Sequence, residues 1–186
     1  MSDRAALDPF AVTEFTEFAD VPGPEAERCR RLFRMLAAGV SIVSAQGPAG
    51  PVGMTASSVT SVSMHPPLLS AFLATGSGTL AALRRSRAFG VQFLAAEQQS
   101  LAEDFAGRGG DRFGSAEYTT VLGVPILRGT LAWSVCLVDD VRRYGDHALV
   151  VGRIVATHTG EGTPLLWHDR RFSRLQHQVC AVQAAQ

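Results

Sequence analysis

The strongest constraint on the fold is that strand-like segments follow one another through short turns, without a helix between each pair. Segments rich in Val, Ile, Thr and Ser predict strands at residues 40–45, 52–64, 68–74, 89–94, 130–144, 147–158 and 164–167. A doubly wound parallel sheet needs strands and helices to alternate, and the chain lacks that alternation. The pattern therefore predicts a mainly β (α+β) domain: an antiparallel barrel, closed or nearly closed, with capping helices at 79–86 and 97–106.

An amphipathic helix is predicted near the start of the chain. Pro24 suits a first helical position, and Gly39 suits a C-terminal stop. An apolar stripe recurs between them at helical spacing, which predicts about four turns: Cys29, Leu32, Phe33 and Leu36. Residues 1–22 show no clean period, so we interpret them as an N-terminal extension and 23–186 as one domain.

Composition restricts the class of protein. The 186 residues carry 17 basic and 17 acidic side chains, so there is no basic excess to indicate a nucleic-acid partner. No apolar run reaches the roughly 18 residues of a membrane span, and the first residues lack the apolar stretch of a secretory signal. The three cysteines form no CxxC pair, which argues against structural zinc and a disulfide framework. We therefore expect a cytoplasmic protein without a membrane partner.

A run of small hydroxylated residues occupies the second predicted strand. It begins at Gly53-Met54-Thr55-Ala56-Ser57-Ser58 and continues to Ser61 and Ser63. Such side chains leave room for a flat ligand against the backbone, and their hydroxyls can donate to ring carbonyls and nitrogens. Composition alone favours the simpler interpretation, a strand with a polar outer face.

A glycine-rich loop, Gly76-Ser77-Gly78-Thr79, joins a predicted strand to a predicted helix. Its glycines permit close approach, and the helix N-terminus offers free N–H groups to an anion such as a phosphate. Ser77 acting as a plain helix cap explains the loop equally well. With Ala81 the loop also fits the G-x-G-x-x-A dinucleotide pattern, but the strand–helix repetition which that pattern requires is missing.

Two further segments, both in the C-terminal half of the chain, contain candidate site residues. Gly145-Asp146-His147 opens a strand after a long hairpin, and Gly-Asp is an ordinary turn dipeptide. His147 is therefore either a surface residue or a hydrogen-bonding group at the mouth of the barrel. Trp167 and Phe172 either wall an aromatic pocket or belong to the core.

Several common catalytic motifs are absent from the sequence. It contains no G-x-S-x-G elbow, no Walker A loop, no H-E-x-x-H and no lysine for a Schiff base. If the protein is an enzyme, its chemistry is expected to come from a cofactor instead of a side-chain nucleophile.

Taken together, these segments resemble the flavin reductase-like family, NAD(P)H:flavin oxidoreductases with an FMN-binding split barrel that serve two-component flavin monooxygenases. The likeness spans roughly residues 28–176 and rests on GMTASSVTSVSMHPP at 53–67, Gly145-Asp146-His147, and PLLWHDRRFSRL at 164–175. It implies an antiparallel split β-barrel of the FMN-binding type.

The resemblance also implies the ligands and the site. FMN or FAD and NADH or NADPH would be the nucleotides, the chain would form a homodimer, and a separate monooxygenase would receive the reduced flavin. The site residues implied are Thr55, Ala56, Ser57, Ser58, Ser61 and Ser63 on the isoalloxazine and ribityl parts, Ser77, Gly78 and Thr79 at the phosphate, Gly145, Asp146 and His147 at the nicotinamide, and Phe172 near the flavin.

Hydride transfer between stacked rings about 3–3.5 Å apart depends mostly on positioning, which explains the missing nucleophile. His147 is the residue expected to orient the nicotinamide. Two alternatives remain open: a flavin carrier or sensor without reductase turnover, and a Rossmann-type dehydrogenase using Gly76-Ser77-Gly78.

Overall fold

A computed structural model describes residues 23–107 and 109–175. By its internal contacts the chain divides into two compact units, residues 1–33 and 34–186. The predicted extension 1–22 lies outside the described residues, so the boundary at residue 23 stays a prediction. In the described part, no helix is both long enough and apolar enough to cross a lipid bilayer.

The helices and strands alternate irregularly along the chain. The helices are α1 (Ala26–Arg34), α2 (Gly78–Ser86) and α3 (Gln99–Ala106). The strands are β1 (Ala38–Gly39), β2 (Ser41–Gly47), β3 (Gly50–Ala56), β4 (Thr60–Met64), β5 (Pro67–Ala74), β6 (Ala88–Phe93), β7 (Tyr118–Val121), β8 (Val124–Leu127), β9 (Ala132–Tyr144), β10 (His147–Thr159), β11 (Leu165–His168) and β12 (Arg171–Arg174).

The first helix is shorter than its sequence pattern predicts. It ends at Arg34, so Leu36 lies beyond it, and Gly39 belongs to β1. No residue of α1 is buried, and Leu32 and Phe33 are more than 60% exposed. The prediction of a four-turn helix is wrong because Ala38 and Gly39 pair with Trp167 and Leu166 of β11, which draws the chain into a sheet.

A seven-stranded antiparallel sheet forms the body of the fold, in the order β3-β2-β6-β9-β10-β5-β4. Smaller sheets of β1-β11-β12 and β7-β8 accompany it. Alternate side chains on the strands point into one core, where Val43, Leu73, Phe89 and Val150 are fully buried. Burial of that apolar surface is the main favourable contribution to folding.

Bulges bend the long β9–β10 ribbon so that the sheet can curl. Register shifts occur between Val151 and Gly152 and again between Ile154 and Ala156. An extra residue on one strand increases the local twist and bends the strand, which is how sheets curve toward closure.

All strand pairs among the described residues are antiparallel. This arrangement excludes the Rossmann-type alternative, because that fold needs a parallel sheet. Most predicted strands are present, but residues 52–64 do not form one strand. The chain breaks between Ala56 and Thr60, so that β3 and β4 lie at opposite ends of the strand order.

The connections β5–α2 and β9–β10 position the residues of interest. Strand β10 pairs with both β5 and β9, and His147 is opposite Ala74 on one side and Tyr144 on the other. The glycine-rich loop and the Gly145-Asp146-His147 turn, 66 or more positions apart in sequence, therefore leave the sheet at the same end.

Gly152 is predicted to tolerate no side chain. A Cβ at this position would lie 2.6 Å from Cε1 of Phe89 and 2.8 Å from Cβ of Cys136, both in the core. Gly152→Ala should therefore lower the free energy of unfolding by about 1–3 kcal/mol through overpacking, measured by urea denaturation. Gly39→Ala, whose Cβ would meet nothing within 4 Å, is the control. Equal urea midpoints for the two variants would contradict this account.

Candidate functional site

A cleft of about 660 Å³ opens between the edge strand β3, the start of α2 and the segment after α3. We call it the main cleft. Its size lies within the range of small-molecule sites, about 300–1,000 Å³. It is lined by Pro51, Val52, Gly53, Met54, Thr55, Ala74, Gly76, Ser77, Gly78, Thr79, Phe105, Ala106, Gly107, Gly109, Gly110, Asp111 and Arg112.

One wall of the main cleft is the N-terminus of α2. Ser77 is the N-cap residue, and its Oγ accepts a hydrogen bond of 3.1 Å from the N–H of Leu80. The first amides of a helix lack partners within the helix, so those of Gly78 and Thr79 remain available to a ligand. Among the described residues, apart from its chain neighbours and the backbone of its own helix, no atom lies within 4 Å of the position that a Cβ on Gly78 would take, so approach to these amides is open.

The lining of the main cleft also includes the guanidinium of Arg112. It donates one hydrogen bond to the carbonyl of Gly53 in β3 and another to the carbonyl of Gly107 after α3. Its Nε–H is buried and has no acceptor within the described structure. A buried donor without a partner is unfavourable, so an acceptor oxygen in the cleft would stabilise it.

Asp111, also in the wall, uses its carboxylate locally. Oδ1 accepts hydrogen bonds from the N–H groups of Phe113 at 3.1 Å and Gly114 at 2.9 Å. Its charge is therefore partly satisfied by backbone donors. The free amides of α2 and the Nε–H of Arg112 together fit a phosphate-bearing ligand such as a flavin nucleotide.

Thr55 lines the cleft, but its hydroxyl is occupied. Oγ1 donates to the carbonyl of Ala102 at 2.6 Å and so holds α3 against β3. Because β3 is an edge strand, backbone groups on its outer side are available to a ligand instead. Thr55 therefore holds β3 and α3 together, and the hydrogen-bonding groups left free along this edge belong to the backbone of β3.

The next three predicted residues lie where the chain leaves β3. Ala56 is buried, Ser57 is exposed, and Ser58 is half-buried. The Oγ of Ser58 donates to the carbonyl of Phe72 at 2.9 Å and accepts from its N–H at 3.2 Å. Ser58 thus ties the link between β3 and β4 onto the edge of β5.

The turn at Gly145-Asp146-His147 is fastened to the base of the glycine-rich loop. The carbonyl of Asp146 accepts hydrogen bonds from both the N–H of Thr75 at 2.9 Å and its Oγ1 at 3.1 Å. Gly145 has a φ of +59°, which suits glycine at this tight turn. The structure therefore brings together two segments that the sequence analysis selected separately.

Within this turn, Asp146 and His147 interact through their side chains. Oδ1 of Asp146 lies 2.8 Å from Nδ1 of His147. This hydrogen bond, and then the charge of His147, hold the pKa of Asp146 below its usual range.

Ser61 and Ser63 lie apart from the main cleft. They line a second depression of about 720 Å³ between β4, β5, β9 and β10, whose walls are mostly apolar. We call it the apolar groove. The separation follows from the break between β3 and β4, which divides the predicted hydroxylated ribbon between two surfaces.

Phe172 does not line either depression. Its ring packs edge-to-face on Trp167 with centroids 4.9 Å apart, and both rings contact the small core around Leu165. The structure favours the interpretation of this pair as part of the core.

Cys136 is a buried thiol in the core. Burial raises the pKa of Cys136 to about 11, which keeps this thiol protonated. Among residues 23–107 and 109–175 no cluster of three His, Cys, Asp or Glu could hold a metal ion.

The family model for flavin reductase-like domains matches residues 33–176, which contain the main cleft and the Gly145-Asp146-His147 turn. The chain belongs to the flavin reductase-like family. This confirms the resemblance seen in the sequence.

Relatives of the flavin reductase-like family match most of the chain. An NADH:FMN oxidoreductase of Rhodococcus erythropolis is 34% identical over 186 residues, covering 94% of this chain and 97% of the relative. The reductase component of a 4-nitrophenol 4-monooxygenase/4-nitrocatechol 2-monooxygenase from Rhodococcus opacus is 36% identical over 143 residues, 77% of each chain.

Solved structures of the family confirm the predicted fold. The NADH:FAD oxidoreductase of Streptomyces globisporus C-1027, solved in complex with NAD and FAD fragments, has a TM-score of 0.79 at 28% identity. The match covers 83% of this chain and 95% of that one. The mainly antiparallel split barrel is therefore shared with flavin reductases.

Three residues without a predicted role belong to the main cleft or to the contacts that hold the Gly145-Asp146-His147 turn. Arg112 and Asp111 line the main cleft, and Thr75 fastens the turn. The available signal for Arg112 was its place in the run Gly109-Gly110-Asp111-Arg112, a basic residue shortly after two glycines. Thr75 gave no signal, because its partner is a backbone carbonyl 71 positions away.

Proposed function

We propose that this chain is an NAD(P)H-dependent flavin reductase, which transfers hydride from a nicotinamide to FMN or FAD and supplies reduced flavin to a separate monooxygenase. The observation that carries the proposal is the pair of hydrogen bonds from Thr75 to the carbonyl of Asp146, which fasten the Gly145-Asp146-His147 turn next to the cleft-lining residues Ala74 and Gly76. The names of the relatives, an NADH:FMN oxidoreductase and a monooxygenase reductase component, support both halves of it.

The phosphate of the flavin binds at the N-terminus of α2 in this proposal. The amides of Gly78 and Thr79 donate to its oxygens, the positive end of the helix dipole stabilises its charge, and Ser77 keeps the helix start in place. Arg112 lines the same cleft, and its buried Nε–H supplies a further donor.

The ring system lies along the outer edge of β3. Small side chains from Thr55 to Ser58 leave the backbone accessible, and N–H donors there stabilise the negative charge that develops on the reduced ring. Of the predicted flavin contacts on this part of the chain only Thr55 lines the cleft. The contacts predicted for Ala56, Ser57, Ser58, Ser61, Ser63 and Phe172 remain predictions.

The nicotinamide binds beside the Gly145-Asp146-His147 turn. A bound flavin supplies the hydride acceptor, and the protein's contribution is to hold the two rings in a reactive geometry. His147 orients the nicotinamide through a hydrogen bond, and it transfers no proton in this scheme.

We further propose that the chain forms a homodimer through the apolar groove. Strand β4 borders this groove and exposes Val62 by 52% and Met64 by 75%. A second copy would remove these apolar side chains from water, and it would bring Ser61 and Ser63 into the interface.

Purified protein should consume NADH or NADPH when free FMN or FAD is added, measured as loss of absorbance at the nicotinamide band. Initial rates should saturate with both nucleotides, because both bind before hydride transfer. Omission of flavin is the control. A tight, stoichiometric yellow complex without nicotinamide consumption would instead support the flavin carrier alternative.

Ser77→Asp should separate helix capping from phosphate binding. Aspartate caps helices as well as serine does, so the thermal midpoint should stay near that of the wild type. Its charge should raise the KM for FMN on the order of tenfold or more through repulsion of the phosphate, and leave the KM for riboflavin unchanged. Ser100→Asp, which adds the same charge to the first turn of α3, is the matched control. Parallel losses for FMN and riboflavin would place the phosphate elsewhere.

Light scattering should give twice the chain mass for the wild type. Combined Val62→Asp and Met64→Asp should shift the protein to a monomer, because two charges on β4 oppose burial of the groove. Leu122→Asp, at an equally exposed position in the β7–β8 turn, should remain dimeric. A monomeric wild type would refute the dimer.

A further inference from the structure

The guanidinium of Arg112 lines the main cleft and forms no ion pair with any residue in the described part of the chain. We propose that Arg112 is the specificity-determining residue of this cleft: it makes the site selective for the doubly charged phosphate monoester of FMN over FAD and riboflavin. The inference rests on the proposed function for the class of ligand, and it adds which flavin is bound and which side chain selects it.

Hydrogen bonds hold this guanidinium in place but leave its charge without a counter-ion. Nη1 donates to the carbonyl of Gly53 in β3, and Nη2 donates to the carbonyl of Gly107 after α3. The Nε–H is buried and has no acceptor within residues 23–107 and 109–175. Carbonyl groups are neutral, and a half-buried cation without a nearby anion is unfavourable. An anion in the cleft would therefore be stabilised by Arg112.

The start of α2 brings a second positive group to the same cleft. This helix has nine residues, and its first turn contains no acidic side chain. The positive end of its dipole is therefore not neutralised from within the helix. The amides of Gly78 and Thr79 line the cleft beside it. Helix N-termini and arginine guanidinium groups both bind phosphate oxygens.

One carboxylate belongs to the described lining, that of Asp111. Its Oδ1 accepts hydrogen bonds from the N–H groups of Phe113 at 3.1 Å and Gly114 at 2.9 Å. Apart from Asp111 and Arg112, the described lining residues are uncharged. The positive charge of Arg112 and of the α2 start is thus left for a ligand, and it favours a ligand with concentrated negative charge.

The three common flavins differ at their phosphate. Riboflavin has none. The phosphate of FMN is a monoester with three terminal oxygens and a charge of about −1.5 to −2 at neutral pH. In FAD one of those oxygens becomes the bridge to a second phosphate, so the first phosphate keeps a single charge and two terminal oxygens. Arg112 and the amides of Gly78 and Thr79 together offer enough donors for three oxygens, which favours FMN.

The adenosine of FAD would gain little from the main cleft. Phe105 is the one aromatic side chain among the described residues of the lining. It is 1% exposed, and its ring packs edge-to-face on Phe113 with centroids 5.0 Å apart. The ring therefore offers no open face on which an adenine could stack. The choice between the two nucleotides is consequently made at the phosphate.

The phosphate of FMN titrates in a direction that protein side chains cannot reproduce. Its second pKa is about 6, so FMN becomes mostly singly charged between about pH 7.5 and pH 5. A side chain that takes up a proton makes the protein more positive, which would strengthen phosphate binding. The ionisable side chains of the lining and its neighbouring segments are Asp111, Glu103 and Asp104 near the end of α3, and Asp146 and His147 before β10. Weaker binding of FMN at low pH would therefore report the phosphate.

Equilibrium dialysis of the wild-type protein measures Kd for FMN, FAD and riboflavin without turnover. Near neutral pH we expect the Kd for FMN to be about tenfold or more below the other two, the size of one charge-assisted hydrogen bond. At about pH 5 the Kd for FMN should rise about tenfold, because little of the doubly charged form remains. The Kd values for FAD and riboflavin should not rise. Equal affinity for FMN and FAD, or FMN binding that does not weaken at low pH, would overturn the inference.

Substitutions connect the selectivity to Arg112. The measured quantity is the Kd for riboflavin divided by the Kd for FMN. Arg112→Gln removes the charge and should lower this ratio about tenfold, whereas Arg112→Lys keeps the charge and should retain much of it. Arg128→Gln removes an exposed arginine outside the lining and should leave the ratio at the wild-type value. Riboflavin binding shows that the ring site is intact. An unchanged ratio in Arg112→Gln would show that Arg112 does not select the phosphate.

Dialysis and the nicotinamide assay fail independently of each other. If the protein consumes NADH or NADPH with added flavin but binds FMN, FAD and riboflavin alike, the inference is overturned and the proposed function stands. If FMN is bound selectively but neither nicotinamide is consumed with any flavin, the proposed function fails and Arg112 keeps its role.

Discussion

The antiparallel pairing of β10 with β5 is the constraint on which the rest of the site depends. Its register sets His147 opposite Ala74, so the turn before β10 and the loop after β5 leave the sheet side by side. Thr75 then joins them with two hydrogen bonds to one carbonyl. A shift of one residue would turn the whole strand over, because side chains alternate between faces. The core and the site are therefore fixed by the same ladder.

The hydrogen-bonding groups that the main cleft leaves free for a ligand belong mainly to the backbone. Ser77 and Thr55 direct their hydroxyls to Leu80 and Ala102, where they hold α2 and α3 in place. What remains for a ligand is the first turn of α2, the open edge of β3 and the Nε–H of Arg112. In the proposed function this surface binds and orients a nucleotide, and the bond changes of the reaction occur between two nucleotides.

Much of the fold could be predicted from the sequence because short patterns of residue types indicate strands, turns and helix starts. Strand composition, the turn at Gly145-Asp146 and the helix start at Ser77 are properties of a few adjacent residues. The incorrect predictions concern segments whose structure depends on contacts with residues far away in the sequence. The helix α1 was predicted too long, because the pairing of Ala38 with Trp167 is invisible locally. Residues 52–64 were predicted to form a single strand. The break between β3 and β4 was missed because the hydrogen bonds that hold it join Ser58 to the backbone of Phe72, which lies farther along the chain.

The sequence by itself determined the family, the antiparallel class and the segments that carry the site, since each depends on residue types in a fixed order. Only the tertiary structure decided which of those segments meet. It joined Gly145-Asp146-His147 to the glycine-rich loop, added Arg112 to the main cleft, and moved Ser61 and Ser63 to another surface. The physical reason is that these relations are set by strand register and by hydrogen bonds to backbone carbonyls. A carbonyl is present at every residue, so the sequence carries no mark of the one that is used.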